Sequence, residues 1–103
     1  MYNNQNINSL DNLEHNATNI FLDVRTDAEY AEGHIKGAIN IDVMSADFKT
    51  EIESLKKTNN YYVICRSGGR SASACLTMAN AGFTTVTNME GGMLGWMGKV
   101  NSL

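Results

Sequence analysis

Cys65, Arg66, Ser67, Gly68, Gly69, Arg70 and Ser71 follow one another between the apolar run Tyr61–Ile64 and a stretch with helical spacing. These residue types suit a loop that holds an anion or a charged sulfur. The free N–H groups of a helix's first turn carry partial positive charge, which favours a thiolate over a thiol. Arg66 and Arg70 add full charges. Gly68 and Gly69 permit backbone conformations closed to other residues, so that successive N–H groups can point inward as an anion-binding nest. Ser67 and Ser71 offer hydroxyl donors without bulk. The consequence is large: a cysteine with an ordinary pKa of about 8.5 is only ~3% thiolate at pH 7, and one lowered to about 6.5 is roughly 75% thiolate. The competing reading is a buried cysteine followed by a polar turn. The two arginines and the strand-to-helix position favour the reactive site.

Other candidates weigh differently. Asp23 and Arg25 close the first long apolar run, where they either tune the charge near Cys65 or form an ion pair that fixes the turn; the second reading is preferred. His34 follows a helix end and is expected to bond to backbone, and His15 to be exposed. Cys75 as a partner for Cys65 is disfavoured. It lies on a helical apolar stripe almost three turns past the loop, and a rise of ~1.5 Å per residue carries it beyond disulfide reach. With two cysteines, two histidines and no Cys-x-x-Cys or His-x-x-x-His pair, no metal site is expected. Gly91 and Gly92 suggest a close backbone approach. Trp96, Met93 and Met97 are expected to cover the last edge of the core.

The elements that must position these residues read as alternating strands and helices. Ile7 is expected to open a short edge strand, and Ser9 to cap a short helix over 9–15. The run 19–24, the run 37–41, Asn60–Cys65 and Thr84–Met89 are expected strands, with the third central. Thr26 and Glu29 form a capping box for a short helix that stops at Gly33. Phe48, Ile52 and Leu55 give one helix a buried stripe. Residues 70–81 form another, with Ala72, Cys75, Leu76 and Ala79 on one face, and 93–100 a last short one. This order indicates an α/β domain, with a mainly parallel central sheet of four to five strands and helices on both faces. The 103 residues make a single domain, residues 1–103. The net charge of −3 leaves no basic stripe for nucleic acid. No apolar run is long enough to span a bilayer, and no secretory signal is read at the N-terminus; a cytoplasmic monomer is expected.

Residues 22–41, 63–83 and 88–96, in that order and spacing, resemble the rhodanese family of sulfurtransferases. The resemblance covers nearly everything after the first dozen residues. It implies an α/β rhodanese-like domain in which a loop cysteine accepts sulfur from a donor, becomes a persulfide, and passes the sulfur to an acceptor. Carried over, Cys65 is the sulfur-bearing nucleophile. The backbone N–H groups of Arg66, Ser67, Gly68, Gly69, Arg70 and Ser71 form the cradle, with the arginine side chains as anion contacts. The resemblance also implies that Gly91 and Gly92 pass close to this loop. Six residues from Cys65 to Arg70 match the sulfurtransferases, whereas related phosphatases and arsenate reductases have seven. The implied reaction is transfer of a sulfane sulfur from a donor such as thiosulfate to cyanide or a thiol. It needs no metal or organic cofactor, because the sulfur is held covalently. A sulfur-carrying protein is a further expected partner. The alternatives are a non-turnover carrier or interaction module and, behind it, an arsenate reductase or phosphatase.

Overall fold

In a computed structural model that describes residues 1–101, the apolar run at 19–24 is a strand, β2 (Asn19–Asp23). The run before Cys65 is β4 (Asn60–Ile64). The two pair in parallel, Phe21 beside Tyr62 and Asp23 beside Ile64. β5 (Thr85–Glu90) lies on the other side of β4. β1 (Asn3–Asn6) forms one sheet edge next to β5, and β3 (Ile39–Asn40) the other next to β2. The result is a five-stranded, all-parallel sheet in the order β1-β5-β4-β2-β3, with β4 at its centre. Because all strands run one way, Asp23 and Cys65 emerge at the same, carboxyl-terminal edge of the sheet, where ligands of open α/β sheets bind.

Both faces of the sheet are covered, which is why the central strands read as unbroken apolar runs. On one face Leu22, Tyr61, Val63 and Val86 pack with Phe48, Ile52, Cys75 and Met78. On the other, Phe21, Ile64 and Met89 pack with Ile7, Leu10 and Ile35.

The helices follow local chemistry. α1 (Asp27–Glu32) begins with the expected capping box: the Glu29 N–H donates to Thr26 Oγ1 at 3.2 Å, and the Thr26 N–H to Glu29 Oε1 at 3.1 Å. α2 (Phe48–Ile52) buries Phe48 and Ile52, and half-buried Leu55 follows in the turn beyond it. α3 (Gly69–Asn80) leads away from Cys65, and α4 (Gly92–Gly95) is a single turn after β5. Among the described residues, no helix is long and apolar enough to cross a membrane.

Several boundaries differ from the sequence reading. Ile7 opens no strand and Ser9 caps no helix. A 3-10 helix spans Ile7–Asn12 instead, capped by Asn6, whose Oδ1 accepts the Asn8 N–H at 2.9 Å. Three residues per turn put Ile7 and Leu10 on one side, and both are buried. The strand expected at 37–41 shrinks to two residues, because Gly37 turns through a φ of +85°. The α3 stripe is also rotated. Ser71, Ala74, Cys75 and Met78 face the core, whereas Leu76 is exposed. In so alanine-rich a helix apolarity alone did not fix the face; packing Met78 under the sheet while turning Ser71 toward Cys65 did. Expected helix 93–100 ends at Gly95, and Trp96 is extended.

Candidate active site

Cys65 directly follows the central strand, and its sulfur faces the start of α3. Gly68, with φ +111° and ψ −15°, reverses the chain there and is the cap of α3. This left-handed conformation is one that a side chain resists. Gly69 needs no such freedom: its φ is not positive, and a Cβ there would meet nothing within 4 Å. The turn brings the Gly68 N–H to Cys65 Sγ at 2.9 Å and Ser71 Oγ to the same sulfur at 3.3 Å. Burial alone would push the Cys65 thiol up. Hydrogen bonding between the sulfur and the Ser71 hydroxyl, and from the backbone amides of Ser71, Gly68 and Ser67, outweighs it, so that the thiol lies below its ordinary value.

The inward aim of the Ser67 amide has an external cause. The Met93 and Leu94 N–H groups donate to the carbonyls of Cys65 and Arg66, at 2.8 and 2.9 Å. A trans peptide with its carbonyl held by α4 turns its N–H the opposite way. For the Arg66–Ser67 peptide, that way is toward the sulfur. Close approach of α4 depends on Gly92. Its φ is +53°, and a Cβ there would lie 2.5 Å from the Cys65 carbonyl oxygen and 2.6 Å from that of Arg66.

The arginines divide into three situations. Arg70 is clasped by Glu29, Nη1 to Oε1 at 2.7 Å and Nη2 to Oε2 at 2.9 Å. The Glu29 carboxyl is consequently held at about 2, chiefly by the Arg70 hydrogen bonds. Arg25 is buried against Asp23, Nη2 to Oδ2 at 2.7 Å, and also donates to the Gly33 carbonyl at 2.7 Å. It ties the end of β2 to the end of α1. Arg66 is exposed and has no side-chain partner among the described residues. It borders a 490 Å³ depression with Arg25, Glu32, Met93 and Leu94. A groove of 540 Å³ between α2 and α3 is lined by Lys49, Glu53, Thr77 and Asn80 and by neither cysteine.

The remaining candidates are structural. The His34 ring stacks on Tyr30 at 3.7 Å, and its Nδ1 lies 2.8 Å from the Tyr30 carbonyl. Its backbone pairs with Asn101. His15 is exposed, edge-on to Phe21. Cys75 is fully buried, and burial pushes its thiol up to about 12. Two contributors escaped the sequence reading. Glu29 was read only as a capping residue, and Asn88, whose Oδ1 meets the Ser71 hydroxyl, was read as part of a strand. The available clue to Asn88 was a polar side chain at an inward position of a covered strand.

A family model described as Rhodanese-like domain matches residues 6–99. Arabidopsis thaliana "Thiosulfate sulfurtransferase 16, chloroplastic" is 38% identical over 86 residues, covering 74% of this chain and 72% of that protein. "Protein HIGH ARSENIC CONTENT 1, mitochondrial", from the same plant, is 37% identical over 87 residues, covering 75% of this chain. The match spans only 52% of that protein, about half its length. The crystal structure of a rhodanese-like domain protein from Staphylococcus aureus superposes with a TM-score of 0.82 at 31% identity and 98% coverage of both chains. Relatives named as sulfurtransferases support a transferase with a sulfur-transfer role. By family match, sequence and fold alike, the chain belongs to the rhodanese-like domain family.

Proposed function

We propose that the protein is a sulfurtransferase that carries a sulfane sulfur on Cys65. The observation that supports this most is the Gly68 N–H at 2.9 Å from Sγ, one of three amides turned on a single sulfur with the Ser71 hydroxyl beside them. Such donors stabilise a thiolate before attack and again when it leaves. With thiosulfate as donor, the Cys65 thiolate attacks the outer sulfur. The new S–S bond forms as the bond to the sulfite sulfur breaks, and sulfite departs with that electron pair. Cyanide or a thiolate then attacks the outer sulfur of the persulfide, and Cys65 leaves as thiolate. Arg66 is the guanidinium available to a donor's negative charge, because Arg70 is engaged by Glu29.

Only 1% of Cys65 is accessible, which favours slender donors over bulky ones. The single uncommitted arginine in the loop, a sparse charge for a small dianion, favours a second reading, in which a persulfidated protein donates or a protein thiol accepts and the domain is a carrier. Protein incubated with thiosulfate should gain the mass of one sulfur atom and lose it to cyanide as thiocyanate. Cys65→Ser should do neither. Full activity in that variant would remove the mechanism, and loading without release to small acceptors would favour the carrier. One relative is named for arsenic, so arsenate is the control substrate. A cradle closed on one sulfur atom is expected to leave it unreduced.

A further inference from the structure

The polar contacts around Cys65 do not stop at Ser71. They continue as one unbroken file across β5 to the edge of the sheet. The Cys65 thiol donates to Ser71 Oγ at 3.3 Å, the Ser71 hydroxyl donates to Asn88 Oδ1, and Asn88 Nδ2 donates to Asn4 Oδ1 at 3.1 Å. Asn4 and Asn88 are register partners on β1 and β5. Cys65, Ser71 and Asn88 are 1%, 0% and 5% exposed, so solvent cannot substitute for a missing partner, while Asn4 lies at the surface. Every donor in this file points away from the sulfur. That polarity suits a protonated thiol.

We propose that Asn88 is a positioning residue for Cys65, acting through Ser71, and that the file reverses its polarity when the sulfur becomes anionic. The argument is a count of donors and acceptors. A thiolate only accepts, so the single Ser71 proton must turn to Sγ, away from Asn88 Oδ1 and from the Gly68 carbonyl 3.1 Å away. Ser71 Oγ then faces a carbonyl oxygen with no proton between them, an arrangement that costs free energy in a buried site. Asparagine resolves this because one planar group carries both a carbonyl and an NH2. Turned end for end, Asn88 donates to Ser71 Oγ and accepts from the amide of Asn4, which rotates freely at the surface. In this change the S–H bond alone breaks, and its proton leaves to solvent base. In the persulfide cycle the same arrangement receives the electron pair returned to Sγ when the acceptor takes the outer sulfur. Residues that only accept, or do neither, cannot serve both polarities.

The functional meaning of this file rests on Cys65 being the sulfur carrier, but its test needs no sulfur donor. Thiolate absorbance is followed against pH in the intact protein, where Cys75, held at about 12, stays silent. The charged groups around Cys65 are retained in all variants: Arg66 in the loop, Arg70 on α3 with Glu29 on α1 and Asp42 after β3, and the Asp23–Arg25 pair at the end of β2. Asn88→Ala should raise the Cys65 midpoint by about one pH unit, a tenfold loss of thiolate at a fixed pH below it. Ser71→Ala should raise it as well. In the Ser71→Ala background, Asn88→Ala should add nothing, the non-additivity expected of residues acting in series. An unchanged midpoint in Asn88→Ala, or an equal shift with and without Ser71, overturns the proposal. If Asn88→Ala does not fold, Asn4→Asp at the exposed edge replaces it. An acceptor there holds the Asn88 NH2 toward β1 and should raise the midpoint even at high salt, which screens its added charge. No shift at high salt overturns the proposal too. Failure of sulfur transfer with these shifts intact would instead count against the proposed function.

Discussion

At the scale of single residues, Glu29 does two unrelated jobs with one carboxylate. Its Oε1 closes the capping box on Thr26, and both oxygens hold the Arg70 guanidinium. Glutamine also serves a capping box, so Glu29→Gln separates the two. The variant should lose about 1 kcal/mol of stability, since the pair is partly solvated, and should lower the KM for thiosulfate by releasing Arg70. A KM that does not fall would mean that Arg70 cannot reach the donor. The pH dependence follows from the same pair. With the carboxyl held at about 2 against an ordinary 4.5, its stabilisation is complete above pH 4.5 and is lost as the pH falls toward 2. Thermal melts across that range should show a shallower acid limb in Arg70→Ala than in the parent.

At the scale of elements, the single turn α4 orients the loop it covers. Its N–H groups hold the carbonyls of Cys65 and Arg66, and the Arg66–Ser67 peptide plane transmits that hold to the Ser67 amide facing the sulfur. Gly92 is where this contact is most easily broken. Gly92→Ala places a methyl against two backbone carbonyls and forces a side chain into the left-handed region, which by itself costs about 1–3 kcal/mol. The melting temperature should drop by roughly 5–15 °C, on the usual scaling for a domain of this size. The Cys65 thiolate midpoint should rise as α4 is displaced. Gly69→Ala is the contrast, because that residue has neither a close neighbour nor a left-handed φ. It should leave the melt nearly unchanged.

At the scale of the molecule, a sheet covered on both faces encloses two thiols and treats them oppositely. Cys65 and Cys75 belong to the same apolar cluster, and neither exposes more than 1% of its surface. Cys65 is served by three amides and a hydroxyl. For Cys75, burial comes first among the causes that raise its thiol, followed by the charge on Cys65. As the pH rises toward the ordinary cysteine value the native protein should therefore develop the absorbance of one thiolate, and Cys65→Ser of none. Two equivalents in the native protein would show that the core does not exclude water from α3. In denaturant both thiols should titrate near the ordinary cysteine value.

The residue order alone determined the α/β alternation, the central place of β4, the α1 capping box and the position of Cys65 between a strand end and a helix start. These follow from short-range rules: apolar run length, cap chemistry and glycine freedom. Tertiary structure decided what depends on distant partners. Glu29 and Arg70 stand 41 positions apart, and Asn4 and Asn88 stand 84 apart. No local pattern marks either pair. The face of α3 expected from the sequence was the wrong one, since alanine suits either side; the sheet took Met78 and the Cys65 sulfur took Ser71. A hydrogen bond between residues distant in the chain is specified only when folding closes the loop between them.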